Sequence, residues 1–193
     1  MAFYPPKING RFRLPACSGR VPGENAVGTS ASFQCGCFAR ISLSIESETK
    51  IIREAGFQTN GCGFMIASAD VIAESLSGKE LTGLHSMDED EFLAIVESSL
   101  GRLPRERVQC AHVVLEAVRA ALADHRAFVI EEFRGEKALV CTCFGISEET
   151  IEAFIAANSP DSAEEVATAC RAGSGCGSCR MLIQEMIDAA SVR

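Results

Sequence analysis

Four cysteines toward the end of the sequence constrain this chain more than any other feature. Cys141-Thr-Cys143 is followed, after thirty-two intervening residues, by Cys176-Gly-Ser-Cys179. Thiolates are soft ligands, and four of them can hold an iron–sulfur cluster or a zinc ion. Structural zinc sites favour wider pairs on both sides, whereas a C-x-C pair puts two sulfurs within reach of one iron. The residues between the pairs predict helices. Ser147 caps a helix with Ile151, Phe154 and Ile155 on one face, and Asn158-Ser-Pro-Asp ends it. Ser162 and Glu165 form a capping box for a second helix over 163–171, and a third runs from Met181 to Ala189. The glycine-rich run Gly173-Ser-Gly-Cys176-Gly lets backbone amides come close to bound sulfur.

The rest of the composition fits metal chemistry. Ten cysteines occur in 193 residues, seven of them in close pairs or beside glycines. The N-terminal residues lack an apolar signal core, so the expected setting is a reducing cytoplasm rather than a disulfide-bonded secreted fold. A hydrophobic share of 47% supports a packed core in one or two domains. A net charge of −8, one tyrosine and no tryptophan argue against nucleic-acid binding and against an anionic membrane surface. No apolar run reaches the roughly eighteen residues a membrane-spanning helix needs.

Before the C-terminal quartet, residues 1–23 read as an extended or short-helical arm, with Cys17 an incidental thiol. Alternation through Cys35-Gly-Cys37 into Ile41-Ser-Leu-Ser-Ile45 predicts a strand. A polar turn over 46–49 and a returning strand from Lys50 to Thr59 complete a hairpin. Asn60-Gly-Cys62-Gly then leads into a helix from Met65 to Leu76. Cys62, flanked by glycines at a strand-to-helix junction, is read as a functional thiol: the glycines expose it and the helix N-terminus favours its thiolate. Further helices are expected over 86–100, with a solvated acidic start, and over 105–126, with Cys110 in its first turns. Residues 127–137 read as a linker. His85, His112 and His125 are scattered and are read as surface or helix residues rather than ligands.

Two resemblances follow from these motifs. Residues 138–190 resemble the small helical 2Fe–2S domain typified by bacterioferritin-associated ferredoxin, which carries CxC and then CxxC at this separation. The resemblance implies that Cys141, Cys143, Cys176 and Cys179 ligate a permanent 2Fe–2S cluster, with Cys170 a buried structural thiol. Residues 24–126 resemble the NifU/IscU family of iron–sulfur assembly scaffolds. Gln34-Cys35-Gly-Cys37 stands at its first loop, normally Cys-Gly-Asp. Gly61-Cys62-Gly-Phe-Met-Ile-Ala-Ser stands at its second, and Leu103-Pro-Arg-Glu-Arg-Val-Gln-Cys110 at its third, normally ending His-Cys.

The second resemblance implies a binding and transfer module, not an enzyme. It builds a transient 2Fe–2S or 4Fe–4S cluster on Cys35, Cys62 and Cys110, taking sulfur from a cysteine desulfurase and delivering the cluster to apo iron–sulfur client proteins. A homodimer is also implied. Cys37 replaces the family aspartate, and Gln109 its histidine, so a four-cysteine site of Cys35, Cys37, Cys62 and Cys110 is expected to hold its cluster more tightly than a typical scaffold; iron or zinc is the alternative N-terminal cargo. A two-cluster electron-transfer protein and a zinc-holding N-terminal site are the alternatives. The expected fold class is α+β: a small antiparallel sheet packed with helices over 1–126, a linker over 127–137, and a small all-helical domain over 138–193. A third domain, usual in NifU proteins, is expected to be absent.

Overall fold

The structure, a computed structural model, describes residues 3–85, 87–132 and 138–191. It divides into two compact units: Met1–Glu80 with Met87–His125, and Leu81–Ser86 with Arg126–Arg193.

In the first unit the arm contains helix α1 (Pro6–Arg13), started by proline at its first position, where a missing N–H costs nothing. Three antiparallel strands follow in sheet order: β1 (Ala26–Ala31), β2 (Phe38–Ile45) and β3 (Ile52–Thr59). Along β2, Ala39, Ile41, Leu43 and Ile45 are buried, as period-two alternation requires. Ser42, on the other face, is buried too and accepts the Val21 N–H at 3.3 Å. The arm covers that side, and its Cys17 carbonyl takes the Phe57 N–H at 3.0 Å on the outer edge of β3.

The strand β1 has weak strand signals, being made of small residues. Its register is fixed from outside. The Val27 N–H donates to Asp124 at 2.8 Å, and Gly28 lies directly against helix α5 (Val108–Glu132), where an added Cβ would fall on the backbone of Ala117 and Ala121. The returning strand starts at Ile52 rather than Lys50, because Lys50 takes a left-handed φ of 57° and belongs to the turn.

Helix α2 (Gly63–Leu76) packs against β3, α1 and α4 (Glu89–Leu100). Met65, Ala67, Ala69, Val71, Ile72, Ala73 and Leu76 are all buried, so it is covered nearly all round. Its Asp70, wholly buried, receives Arg11 Nη1 at 2.7 Å and the Cys17 N–H at 2.8 Å. The acidic helix begins at Glu89 with Asp88 as its cap, which accepts the Glu91 N–H at 2.8 Å; Ser86, the expected start, lies outside the described residues. A 3-10 turn (Arg105–Arg107) leads into α5, which continues to Glu132. The first part of the expected linker is therefore helical, and residues 133–137 lie outside the described part.

The second unit contains the short helix α3 (Thr82–His85), a hairpin of β4 (Leu139–Cys141) and β5 (Ile146–Ser147), and helices α6 (Glu148–Asn158), α7 (Ala163–Cys170) and α8 (Arg180–Ser191). The hairpin is an addition to the helices read from the sequence. Ser147 caps α6, accepting the Thr150 N–H. Ser162 does not bond the backbone of α7 as a capping box would; its hydroxyl meets the Glu165 carboxylate at 3.3 Å. Ile151, Ile155, Val166, Ile183 and Ile187 form the core together with Cys141, Cys143 and Cys179.

The contact at Gly28 generates a prediction. Gly28→Ala forces β1 away from α5 and lowers the unfolding free energy by at least about 2 kcal/mol in urea titration. Gly10→Ala, in open space inside α1, leaves stability unchanged or raises it by about 0.5–1 kcal/mol.

Candidate metal centres

Cys35 and Cys37 lie in the loop closing the β1–β2 hairpin. The loop is tied by the Ser32 N–H to the Cys37 carbonyl at 2.7 Å and by the Gly36 N–H to the Ser32 carbonyl at 2.8 Å. Gly36 takes a φ of 68°, a turn that L side chains resist. Cys62 is the N-cap of α2, and Cys110 is in the first turn of α5. The Sγ atoms of Cys62 and Cys110 are 3.8 Å apart. Exposure is graded: Cys35 is exposed, Cys37 and Cys62 are half-buried, and Cys110 is buried.

The glycines flanking Cys62 serve a purpose other than the expected one. A Cβ at Gly61 would strike Met65, and one at Gly63 would strike the Tyr4 ring. They make room for protein side chains, and Cys62 between them is half-buried. The Gly63 N–H donates to the Tyr4 hydroxyl at 3.1 Å, so the arm sits on the first amide of α2.

The thiols of this group act on one another. The Ser32 hydroxyl, the Cys37 N–H and the Cys37 thiol donate to Cys35 and hold its pKa below the ordinary thiol value. Cys37, as donor to Cys35, is pushed up, and it also feels the charge of Cys62. Burial pushes Cys110 up to about 12, reinforced by Cys62 and, more weakly, by Cys35; Arg107 opposes this. Arg107 lies over the Phe64 ring, 5.6 Å from its centroid.

In the second unit Cys141 ends β4, Cys143 lies in the turn to β5, and Cys176 and Cys179 precede α8. Cys141, Cys143 and Cys179 are buried, while Cys176 is exposed. The Cys143 thiol, the amides of Gly173 and Phe144, and the Cys179 thiol donate to Cys141 and bring it down to about 5, against burial. Cys143 is raised by its bond to Cys141 and by burial. It meets Cys176 at 3.4 Å, and Cys176 is lowered chiefly by the Ser178 hydroxyl at 3.0 Å. Burial and the Cys141 charge raise Cys179 to about 11. The sulfurs thus form a continuous chain, Cys179–Cys141–Cys143–Cys176.

Among the described residues, no three His, Cys, Asp or Glu side chains surround one point closely enough to hold a single ion. A 2Fe–2S cluster asks for something else: four thiolates shared between two irons. The second unit's donor set suits it, with four soft sulfurs, glycine loops and amides already aimed at sulfur.

The other flagged residues fall outside both groups. Cys17 is tied through its backbone to Asp70 and Phe57, and the Cys170 thiol donates to the Val166 carbonyl at 3.1 Å. His112 Nε2 meets Glu89 at 2.9 Å, His125 is buried in α5, and the side chain of His85 lies outside the described part. Ser32 and Arg107 carry no functional signal of their own in the sequence, and Tyr4 is legible there only as part of the leading arm. Tyr4 lies fifty-nine residues from Gly63, and no periodic signal links them.

These shifts set an order of reactivity for the metal-free protein. A lowered pKa gives more thiolate at neutral pH, and a raised one gives less. Limiting iodoacetamide at pH 7 labels Cys35 first in its unit and Cys110 last, by peptide mass mapping. Cys110 labelling rises with pH well beyond the point where Cys35 labelling has levelled off.

Comparison with known proteins places the chain. Residues 3–131 match the NifU-like N terminal domain, and residues 139–189 match the BFD-like 2Fe-2S binding domain. The nitrogen fixation protein NifU of Azotobacter chroococcum is 34% identical over 188 residues, covering 95% of this chain and 58% of that protein. The iron-sulfur cluster assembly scaffold protein IscU of Aquifex aeolicus is 27% identical over 151 residues, covering 77% of this chain and 91% of that one. The crystal structure of a nitrogen-fixing NifU-like protein (N-terminal) from Brucella abortus superposes with a TM-score of 0.49 at 15% identity, covering 65% of this chain and 96% of that one. The chain spans just under three fifths of the Azotobacter relative's length. No helix among the described residues is long and apolar enough to cross a membrane. The chain belongs to the family of NifU-like N-terminal domains, here followed by a BFD-like 2Fe–2S-binding domain.

Proposed function

We propose that this protein is an iron–sulfur cluster assembly scaffold. A cluster is built as cargo on Cys35, Cys62 and Cys110, with Cys37 as a fourth thiolate, and is handed to apo client proteins. Cys141, Cys143, Cys176 and Cys179 hold a resident 2Fe–2S cluster, which supplies one-electron chemistry when bound. The protein turns over no small-molecule substrate. A cysteine desulfurase supplies sulfur, the working form is a homodimer, and the compartment is the reducing cytoplasm.

The observation that carries this reading is the graded exposure of the first unit's thiols. Cargo that must leave needs a ligand that a donor or client can reach, and Cys35 is exposed in a loop. A cleft of about 540 Å³ opens beside it, lined by Gln34, Arg105, Arg107, Gln109 and His112. A resident cluster needs the reverse, and three of the four thiols in the second unit are buried. Cys37 favours a second reading, a two-cluster electron carrier, because an additional thiolate strengthens retention of iron.

Cluster transfer separates the two. The anaerobically reconstituted protein is expected to activate an apo iron–sulfur enzyme, and chelator is expected to strip the N-terminal iron first. Cys37→Asp, restoring the family aspartate, is expected to lose that iron several-fold faster, on the order of a tenfold change per ligand perturbed. Reversible one-electron cycling at both centres without any transfer would establish the electron carrier instead. Zinc bound by the first unit after anaerobic purification would remove both readings for that site.

A further inference from the structure

We propose that Cys37 is a resolving thiol that releases sulfide from a persulfide on Cys35, so that the Cys35-Gly36-Cys37 loop supplies the reducing electrons itself. The inference rests on the scaffold reading, in which sulfur arrives as a protein persulfide, and adds a chemical step to it.

Three observations point to this pair. Cys35 is the exposed thiol of its unit, and so the one that a persulfide carried by another protein reaches first. Cys37 is two residues away in sequence and within hydrogen-bonding reach of it. The Cys37 thiol and amide both donate to Cys35, and the Cys37 Sγ lies 3.8 Å from the Cys35 carbonyl. The two cysteines are joined through Gly36 at a φ of 68°, in a turn with nothing within 4 Å of where a side chain would be. With Cys35 itself exposed, an additional sulfur on its Sγ extends into solvent. The second unit also has a C-x-C pair, Cys141 and Cys143, but both are buried and out of a carrier protein's reach. Cys62 and Cys110 are close to each other, yet Cys110 is buried as well.

The step balances within the loop. Cys35 takes the outer sulfur from the carrier's persulfide and becomes Cys35–S–SH, leaving the carrier as a thiolate. Cys37 attacks the Cys35 Sγ. An S–S bond forms between the two cysteines, and the bond from Cys35 Sγ to the outer sulfur breaks. That sulfur takes the electron pair and leaves as hydrosulfide, and the Cys37 proton passes to solvent. The outer sulfur is reduced by two electrons and the cysteine pair is oxidised by two. A dithiol of the thioredoxin class then exchanges with the disulfide and returns both thiols, which are free to bind iron.

The full chain with its C-terminal cluster in place tests this without added iron. The reduced protein is treated briefly with glutathione persulfide, desalted, and followed for sulfide release and for disulfides by peptide mapping. The wild type is expected to release its bound sulfane sulfur and to gain a Cys35–Cys37 disulfide. Cys37→Ser and Cys37→Asp are expected to keep the additional sulfur on Cys35 and to release it at least about tenfold more slowly. Aspartate is the family residue at this position, so the second variant guards against misfolding in the first. Release from both variants at the wild-type rate, no new disulfide, or a disulfide joining Cys62 to Cys110 overturns the proposal. Failure here with intact cluster transfer leaves the scaffold reading standing. Sulfide release without any cluster transfer sinks the scaffold reading alone.

Discussion

Cys62 lies 3.8 Å from Cys110 only because α2 is held from several sides. A helix carrying a ligand at its first position transmits every rotation about its own axis to that ligand. Here rotation is blocked by burial against β3, α1 and α4, and by Asp70 in the middle of the helix. A buried carboxylate is tolerated only when it is paired and hydrogen-bonded, and Arg11 with the Cys17 amide meets that demand. Those partners come from the arm, so the same interaction fixes the helix and lays the arm across the sheet. Tyr4, at the arm's beginning, then reaches the amide next to Cys62.

With that frame rigid, the thiols themselves can differ in setting. In the first unit they run from an exposed loop to a buried helix turn, so iron held there would be partly open to other molecules. In the second unit the hairpin, the glycine-rich loop and the start of α8 enclose most of the sulfur, and amides from Gly173 and Phe144 stabilise the thiolate form of Cys141 before any metal is considered. Both groups are cysteine, so what distinguishes their settings is burial: one of the second unit's four thiols is exposed, and in the first unit the exposed thiol lies in a loop.

Local chemistry was easy to read from the residues. Ser147 caps its helix, Cys62 falls at a strand-to-helix junction, and the β2 alternation appears as burial. All three depend on neighbours within a few positions. What stayed hidden depends on distant partners. The strand β1 is poor in strand-forming side chains, and it is held by Asp124 and by the close approach of α5 at Gly28. From the sequence the glycines around Cys62 read as openings, but the close contacts there come from Met65 and Tyr4, which no spacing rule connects to them. Lys50 belongs to a turn because of a backbone angle that its side chain does not announce. The relation between Cys35 and Cys37 was visible as a spacing, but the donor direction between them was not.

The central claim is that two iron–sulfur sites of different permanence occupy one chain. Mössbauer spectroscopy of the anaerobically purified protein, with iron and zinc counted per chain before and after brief chelation, tests it most directly. The account predicts two iron populations in sulfur coordination: a 2Fe–2S population that survives the chelator and is lost on Cys176→Ser, and a second that the chelator removes and Cys62→Ser abolishes. A single iron environment that tracks only Cys176, with the first unit empty of iron or filled by zinc, would contradict it.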